Sequence, residues 1–426
     1  MNAGVLLILV MFGLIALGLP ITFSLGIAGL VFFLQQGIPL STFAQKLCMS
    51  VDSFPLLALP FFILCGNLMN NGGITRRLFR FCKSLMGSVR GGLSYVAIFA
   101  NVIFSAISGS ALANASGIGT ITIKAMEEEN YPKEYAAGLI TTASVLGPII
   151  PPSVIMIVYG VTAGVSVQKM FMGGIVPGIL YAFIMCLMAA FYGKKLSLPQ
   201  GEKFSGKRLW KDFKDAFWAL MTPVIILGGI FSGIFTATES GAIACVYVFI
   251  VGKFIYKDLT MKDMAKVIKG SAKTTGTILL IAATAAVLGF CLSYVRLPQT
   301  LAKSITGIIH SRLALMGIFT IVYLFMGCIM EASAIVICTV PIFLPLCQSM
   351  GIDLVYFGVY VGILMSIGTV TPPVGIVMFV INRNIGLTVE RFTKIMLPWF
   401  GMIIFVCILL IVFPSIISFL PKVLFG

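Results

Sequence analysis

Two short stretches constrain this chain more than anything else in it: Gly147-Pro148-Ile149-Ile150-Pro151-Pro152-Ser153 and Gly368-Thr369-Val370-Thr371-Pro372-Pro373-Val374. Each interrupts a long apolar segment. Proline removes a backbone donor and its ring clashes with the preceding turn, so a Pro-Pro pair breaks a helix and frees carbonyls. At membrane depth those carbonyls find no water, and the break is tolerable only inside protein or beside a water-filled cavity. Broken helices at corresponding positions of two halves point to the ion and substrate sites of a secondary transporter.

Composition supports a membrane setting, with 59% of the 426 residues apolar, 10% charged and a mean hydropathy of +1.09. A soluble domain is far less apolar. Runs of about 20 residues, enough to span a bilayer, occur near 5 to 35, 55 to 71, 93 to 123, 135 to 166, 171 to 192, 217 to 252, 275 to 295, 313 to 346, 353 to 381 and 395 to 420. Several exceed one span and must contain a break. The first run continues past Gly18 and Pro20 to Phe33 without a basic leader or a small-residue cleavage site, and reads as part of the fold rather than a signal peptide.

The formal net charge of +15 sits in segments flanking the apolar spans, so the partner it implies is a lipid surface and not nucleic acid. Residues 74 to 90 place Arg76, Arg77, Arg80, Lys83 and Arg90 opposite Ile74, Leu78, Phe81, Leu85 and Val89, the pattern of an interfacial arm helix. Residues 261 to 273 set Lys262, Lys266, Lys269 and Lys273 against Met261, Met264, Ile268 and Ala272 in the same way. The ten cysteines are scattered singly through apolar sequence and read as packing residues.

An internal repeat underlies the paired breaks. At a constant separation of 221 residues, Phe104 matches Phe325, Ala111 Ala332, Ala113 Ala334, Ile121 Ile342, Tyr135 Tyr356, and Gly147, Pro151 and Pro152 match Gly368, Pro372 and Pro373. The chain reads as a first repeat over 1 to 200, a cytoplasmic linker over 201 to 214 and a second repeat over 215 to 426. The first repeat holds the arm at 74 to 90, a hairpin at 93 to 123 and a broken helix at 135 to 166. In the second, the arm is 295 to 311, the hairpin 313 to 346 and the broken helix 353 to 381.

Charge placement orients the two repeats. With the arm at 74 to 90 cytoplasmic by the positive-inside rule, the hairpin enters and returns, and 193 to 214, carrying Lys194, Lys195, Lys203, Lys207, Arg208, Lys211 and Lys214, falls inside as well. Lysines 253, 257, 262, 266, 269 and 273 stay inside too, whereas 295 to 311, with only Arg296 and Lys303, falls outside. The fold expected is therefore an all-α polytopic membrane protein of two inverted repeats, each with a re-entrant hairpin and a Pro-broken helix.

The breaks hold the candidate chemistry. Ser105 and Ser108 from the hairpin, with Gly147, Ile150 and Pro152 from the break, offer only hydroxyl and carbonyl oxygens, which suit a hard monovalent cation. The matching set in the second half is Gly327, Gly368, Thr371 and Val374, so two pseudo-symmetric cation sites are expected. Set against this, isolated Ser and Thr in membrane helices commonly bond a backbone carbonyl of their own helix. Substrate contacts are assigned to Ser108, Ser110, Ser153 and Glu331. Glu331 occupies the repeat position of Ser110, and a carboxylate at membrane depth, costing about 2.5 to 3.5 kcal/mol, must face water or the protein interior. Glu239 reads as a brace for the interruption near Thr236 to Ser240, and His310 as an exposed loop residue.

The run from Asp52 to Gly66, Gly72-Gly-Ile-Thr-Arg-Arg77, Ser108-Gly-Ser-Ala111, the two break motifs and Gly229-Ile-Phe-Ser-Gly-Ile-Phe-Thr236 resemble the large membrane subunit (M subunit) of TRAP transporters, the tripartite ATP-independent periplasmic family. The resemblance spans the whole chain. It implies an elevator-type ion-transporter fold in the bacterial inner membrane and import of an organic acid coupled to sodium (Na+) at two sites. It also implies a small membrane subunit (Q-type) and a periplasmic substrate-binding protein (P-type) as partners. Two residues depart from the common pattern: Ala237 stands where the family commonly has Pro, and Glu331 where it commonly has Asp. The extra methylene of Glu331 changes the depth of the cavity, leaving sialic acid and C4-dicarboxylates both open, with overall similarity favouring sialic acid.

Other classes are weighed by what they need. A membrane-embedded protease or hydrolase needs a catalytic set, and the sequence has one His, no H-E-x-x-H, no G-x-S-x-G and no intramembrane aspartate pair. A Walker A motif is absent, which excludes ATP as the energy source. A stand-alone sodium-coupled anion exchanger, working without a binding protein, stays open on the residues alone.

Overall fold

A computed structural model describes residues 3–201, 203–328, 330–372 and 375–425; Val374 and Pro373 of the second break lie outside the described residues. The described chain is helical apart from one isolated antiparallel bridge between Arg90 and Gln200. Eight helical segments among the described residues are long and apolar enough to cross a bilayer, from Phe54–Asn71 to Val389–Val412.

One of the eight is unlike the rest. Lys133–Ala163 has 89% of its apolar window buried in protein, against 28% to 61% for the other seven. Every residue from Tyr135 to Gly160 is buried, so lipid does not reach this segment. It is also the segment with the first Pro-Pro pair. Helix Lys133–Ser144 runs on through a short turn, Leu146–Ile149, until Ile150 adopts an extended backbone (φ −80°, ψ 127°). The helix restarts at Val154–Ala163, with Ser153 as its N-cap. The break is thus placed where only protein can meet its freed backbone groups.

The second break follows the same plan. Helix Leu354–Gly368 ends in tight turns, with Val370 N–H bonding Ile367 O at 3.0 Å and Thr371 N–H bonding Gly368 O at 3.1 Å. Helix Ile376–Ile385 then resumes. The hairpins precede the breaks in chain order. In the first, Gly92–Ser108 turns at Gly109 (φ +61°) into Ala111–Asn114, a π-helical stretch Ala115–Gly119, and Thr120–Glu128. In the second, Arg312–Gly327 turns into Ala332–Ser349, with Glu331 as N-cap.

One face of the protein gathers the basic segments. Gly91 N–H bonds Pro199 O at 2.9 Å, Lys83 pairs with Glu129 at 2.7 Å, and Arg80 pairs with Asp215 at 2.8 Å. Arg391 pairs with Glu134 on the same face. The loops near 74 to 90, 124 to 134, 193 to 215, 253 to 260 and 383 to 394 therefore lie together on one face.

Helix Ile74–Met86 differs from the surface helix that its amphipathic pattern suggests. Its apolar face is seated, with Ile74, Leu78, Phe79 and Cys82 buried, but Leu85 and Val89, expected on that face, are exposed. Arg77 does not belong to a solvated basic stripe at all. Its side chain is 15% exposed, stacked 3.8 Å over the Tyr256 ring and paired with Asp258 at 2.5 Å and Asp215 at 3.3 Å. Burial alone would lower its pKa, and the bond to Asp258 with the charges of both aspartates reverses this, holding it above the ordinary value. The arm is thereby pinned to Gly206–Phe231 and to the loop after Ala237–Ile250.

The lysine-rich stretch 261 to 273 is not a separate helix but the start of a 34-residue helix, Met261–Tyr294. Within 261 to 273 the helix buries Val267 and Ser271, while Met261 and Ile268 point outward. In a bilayer an apolar side chain need not face protein, so the moment of this helix marks lipid as much as core. Glu239 does brace the interruption at 236: its carboxylate accepts from Thr236 N–H and Oγ1, both at 2.8 Å, and Thr236 Oγ1 accepts from Glu239 N–H, a capping box.

Candidate functional site

At the first break, hairpin tip and broken helix meet backbone to backbone. A Cβ on Gly147 would stand 2.6 Å from the carbonyl carbon and oxygen of Ser110, and one on Gly109 would stand 2.6 Å from Pro152 O. Val154 N–H, freed by the break, bonds Gly109 O at 3.3 Å. Any side chain at Gly147 or Gly109 would prise the two apart. Ser105, Ser108, Ser110, Gly147, Pro152 and Ser153 are therefore in one neighbourhood. Ile150 supplies the extended residue, and its side chain packs on Gly178.

The hydroxyls here are engaged. Ser108 Oγ donates to Asn114 Oδ1 at 2.5 Å, Asn114 Nδ2 donates to Ser105 Oγ at 2.8 Å, and Ser105 Oγ donates to Asn101 O at 2.5 Å. All four residues are buried, and Asn101 Oδ1 has no partner among the described residues. Ser110 and Ser153 serve as N-caps, accepting from Ala113 N–H and Met156 N–H, both at 3.4 Å.

At the second break the contact is as close. A Cβ on Gly368 would lie 2.6 Å from Gly327 Cα and 2.7 Å from its carbonyl carbon. Gly327, Gly368 and Thr371 come together. Val374, also assigned to this site, lies outside the described residues. Thr371 Oγ1 donates to Ile367 O at 2.8 Å, the back-bond that polar residues in membrane helices commonly make. Among the described residues its hydrogen is committed and its lone pairs are not.

Glu331 is exposed and caps Ala332–Ser349, accepting from Ala334 N–H at 3.0 Å and from Ser333 Oγ at 3.0 Å. The sequence reading does not assign it this capping role. An open cleft of about 470 Å³ lies on the face opposite the basic one, between Ser53 to Pro55, the loop from Gly160 to Gln168, and Thr236 to Thr238. None of the assigned site residues lines it.

Asn114 is the residue that sequence reasoning missed. A signal was present, because a buried amide in an apolar hairpin must find partners, and Asn114 stands six residues from Ser108 on the far side of a glycine turn. As for what the donor set can hold, both breaks present hydroxyl and carbonyl oxygens, and no cluster of three His, Cys, Asp or Glu exists among the described residues. Such a set fits a hard cation such as sodium and lacks the nitrogen and sulfur ligands that favour a transition metal.

A multi-pass helical protein whose paired helix breaks are sealed by hairpin tips is a membrane transport protein. The family described as "Tripartite ATP-independent periplasmic transporter, DctM component" matches residues 8–416, and the chain belongs to it. It is 38% identical over 409 residues to the sialic acid TRAP transporter permease protein of Haemophilus influenzae, covering 96% of this chain and 66% of that one. It is 37% identical to the sialic acid TRAP transporter large permease protein of Vibrio cholerae, covering 97% of each. To the C4-dicarboxylate TRAP transporter large permease protein of Rhodobacter capsulatus it is 35% identical, covering 98% of this chain and 99% of the other. The fold is shared with the YdaH transporter of Alcanivorax borkumensis at a TM-score of 0.59 and 14% identity, covering 88% of both chains. The chain is thus a transporter permease and not an enzyme, an integral multi-pass protein of the inner membrane.

Proposed function

We propose that this chain is the large membrane subunit of a sodium-coupled importer of a small organic acid. The two breaks bind the coupling ions, Ser105, Ser108, Gly147, Ile150 and Pro152 at one and Gly327, Gly368, Thr371 and Val374 at the other. Ser108, Ser110, Ser153 and Glu331 contact the substrate. The two halves are inverted repeats, and hairpins and broken helices move together as the elevator against the remaining helices. A small Q-type subunit enlarges the scaffold, and a P-type periplasmic binding protein delivers the substrate.

The observation that carries this reading is the pair of glycine-tight junctions, each bringing a hairpin turn onto a broken helix with only oxygen donors at hand. The names of the relatives supply the substrate class: sialic acid and C4-dicarboxylates are both carboxylates. At 38% and 35% identity they do not separate the two, and we carry sialic acid forward on the higher similarity. Sodium coupling is energetically worthwhile, since each net charge moved inward gains about 2.3 kcal/mol per 100 mV, against about 1.4 kcal/mol per tenfold substrate gradient.

The test is uptake into proteoliposomes with sodium gradient, small subunit and candidate binding protein varied one at a time. Uptake is expected only with all three present, and Ser108→Ala and Thr371→Val are each expected to raise the sodium concentration for half-maximal uptake. Uptake by the chain alone would instead establish a stand-alone exchanger, and sodium-independent uptake would remove the coupling ion.

A further inference from the structure

Asn114 ties together two hydroxyls assigned to the first cation site, and its bonds have a direction. Ser108 Oγ gives its single hydrogen to Asn114 Oδ1 at 2.5 Å. Ser105 Oγ gives its single hydrogen to Asn101 O at 2.5 Å while accepting from Asn114 Nδ2 at 2.8 Å. A hydroxyl has one hydrogen and two lone pairs. With both hydrogens spent on protein acceptors, neither serine can present a proton toward the break, and among the described residues each has lone pairs left over: two on Ser108, one on Ser105. A hydroxyl in that state is a cation ligand, whereas one free to rotate would also offer its hydrogen and suit water equally well.

We propose that Asn114 is the positioning residue of the first cation site, fixing the rotors of Ser105 and Ser108 so that both face the site as acceptors only. The proposal rests on the sodium reading given above and adds to it a residue outside the ligand set. Three further observations agree. Asn114 is fully buried, so its amide has no solvent to turn to. The π-helical stretch Ala115–Gly119 begins directly after it, and such insertions, which locally re-aim side chains, recur at functional sites. At the second break, where the repeat position of Asn114 is Ile335, Thr371 Oγ1 is fixed differently, by its own helix through Ile367 O at 2.8 Å. Each site has its hydroxyl hydrogens committed: Ser105 and Thr371 to a main-chain carbonyl of their own helix, and Ser108 to the Asn114 amide.

The test follows sodium-specific thermal stabilisation of the purified full chain, titrated with sodium chloride against choline chloride at constant ionic strength. Ser108→Ala and Asn114→Ala are each expected to raise the half-saturating sodium concentration roughly tenfold, about 1.4 kcal/mol. The double variant Ser108→Ala/Asn114→Ala should lose less than the sum of the two, because part of what the amide does acts through the Ser108 hydroxyl it orients. Asn114→Asp keeps the side-chain volume should Asn114→Ala fail to fold. It places an anion within hydrogen-bond reach of both serines and is expected to lower the half-saturating concentration. If Ser108→Ala weakens sodium binding while both Asn114 variants titrate as the unaltered chain does, or if the two losses simply add, the positioning role is overturned and the sodium site stands. If the unaltered chain shows no sodium-specific stabilisation, the sodium reading itself fails, and the proposal with it.

Discussion

Ser110 and Glu331, 221 residues apart, perform the same local task. Each is the N-cap of the returning arm of its hairpin, Ser110 accepting from Ala113 N–H at 3.4 Å and Glu331 from Ala334 N–H at 3.0 Å. The chemistry differs in one respect. A serine retains a hydrogen to donate, whereas a carboxylate only accepts and carries charge onto the positive end of the helix. One hairpin turn is neutral and the other anionic.

That difference separates capping from transport at Glu331. Glu331→Gln retains an acceptor and is expected to leave thermal stability unchanged while reducing uptake at least severalfold. Glu331→Leu removes the cap and should cost about 1 kcal/mol in addition. Melting curves beside uptake rates check both, and normal transport by the Gln variant would reduce the residue to a cap.

Arg77 offers a stability test away from the breaks. Arg77→Lys keeps the charge but loses the planar stack on Tyr256 and the fork that reaches Asp258 and Asp215 together. The expected loss is about 1 to 2 kcal/mol, read as a lower unfolding temperature in detergent. A Lys variant as stable as the original would show the knot to be a surface ion pair of little consequence.

The glycine junctions predict a graded series. Gly147→Ala and Gly368→Ala force a methyl group against backbone atoms 2.6 Å away, and overpacking of this kind costs about 1 to 3 kcal/mol, with uptake largely lost. Gly276→Ala is the control, because nothing lies within 4 Å of its would-be Cβ, and Ala there should be neutral or stabilising by up to about 1 kcal/mol. Equal behaviour of all three in thermal unfolding would contradict the sealed junctions.

Sidedness can be read by labelling. In a background with the exposed Cys48 replaced, Ser205→Cys should react with impermeant thiol reagents only from the cytoplasm and Lys303→Cys only from outside. Modification of both from one side would refute the inverted arrangement.

Much of the architecture was legible because proline chemistry is local: the interruptions fall at Ile150 and after Gly368, next to the Pro-Pro pairs. The oxygen-bearing neighbourhood of the first break was legible for the same reason, since Ser105 and Ser108 stand at a glycine turn. What the sequence withheld was set by partners distant in the chain. Amphipathic spacing placed Arg77 on a polar face but carried no trace of Tyr256 and Asp258 arriving over it. It does not tell lipid from core either: Ile268 and Leu85 stand on the apolar faces and are exposed in the folded chain. The role of Asn114 is not legible in the sequence, because its bonds depend on how the hairpin closes.

The order of the elements along the chain has a consequence for biogenesis. In each half the hairpin is synthesised before the broken helix, 92 to 128 ahead of 133 to 163 and 312 to 349 ahead of 354 to 385. A nascent segment like Lys133–Ala163 leaving the translocon with uncapped carbonyls at its middle would be costly in bare hydrocarbon, several kcal/mol for each unsatisfied group. Because its companion is already in the bilayer, the interruption has a surface to close against on arrival. Exchanging the order by circular permutation would leave the final contacts intact and still penalise insertion.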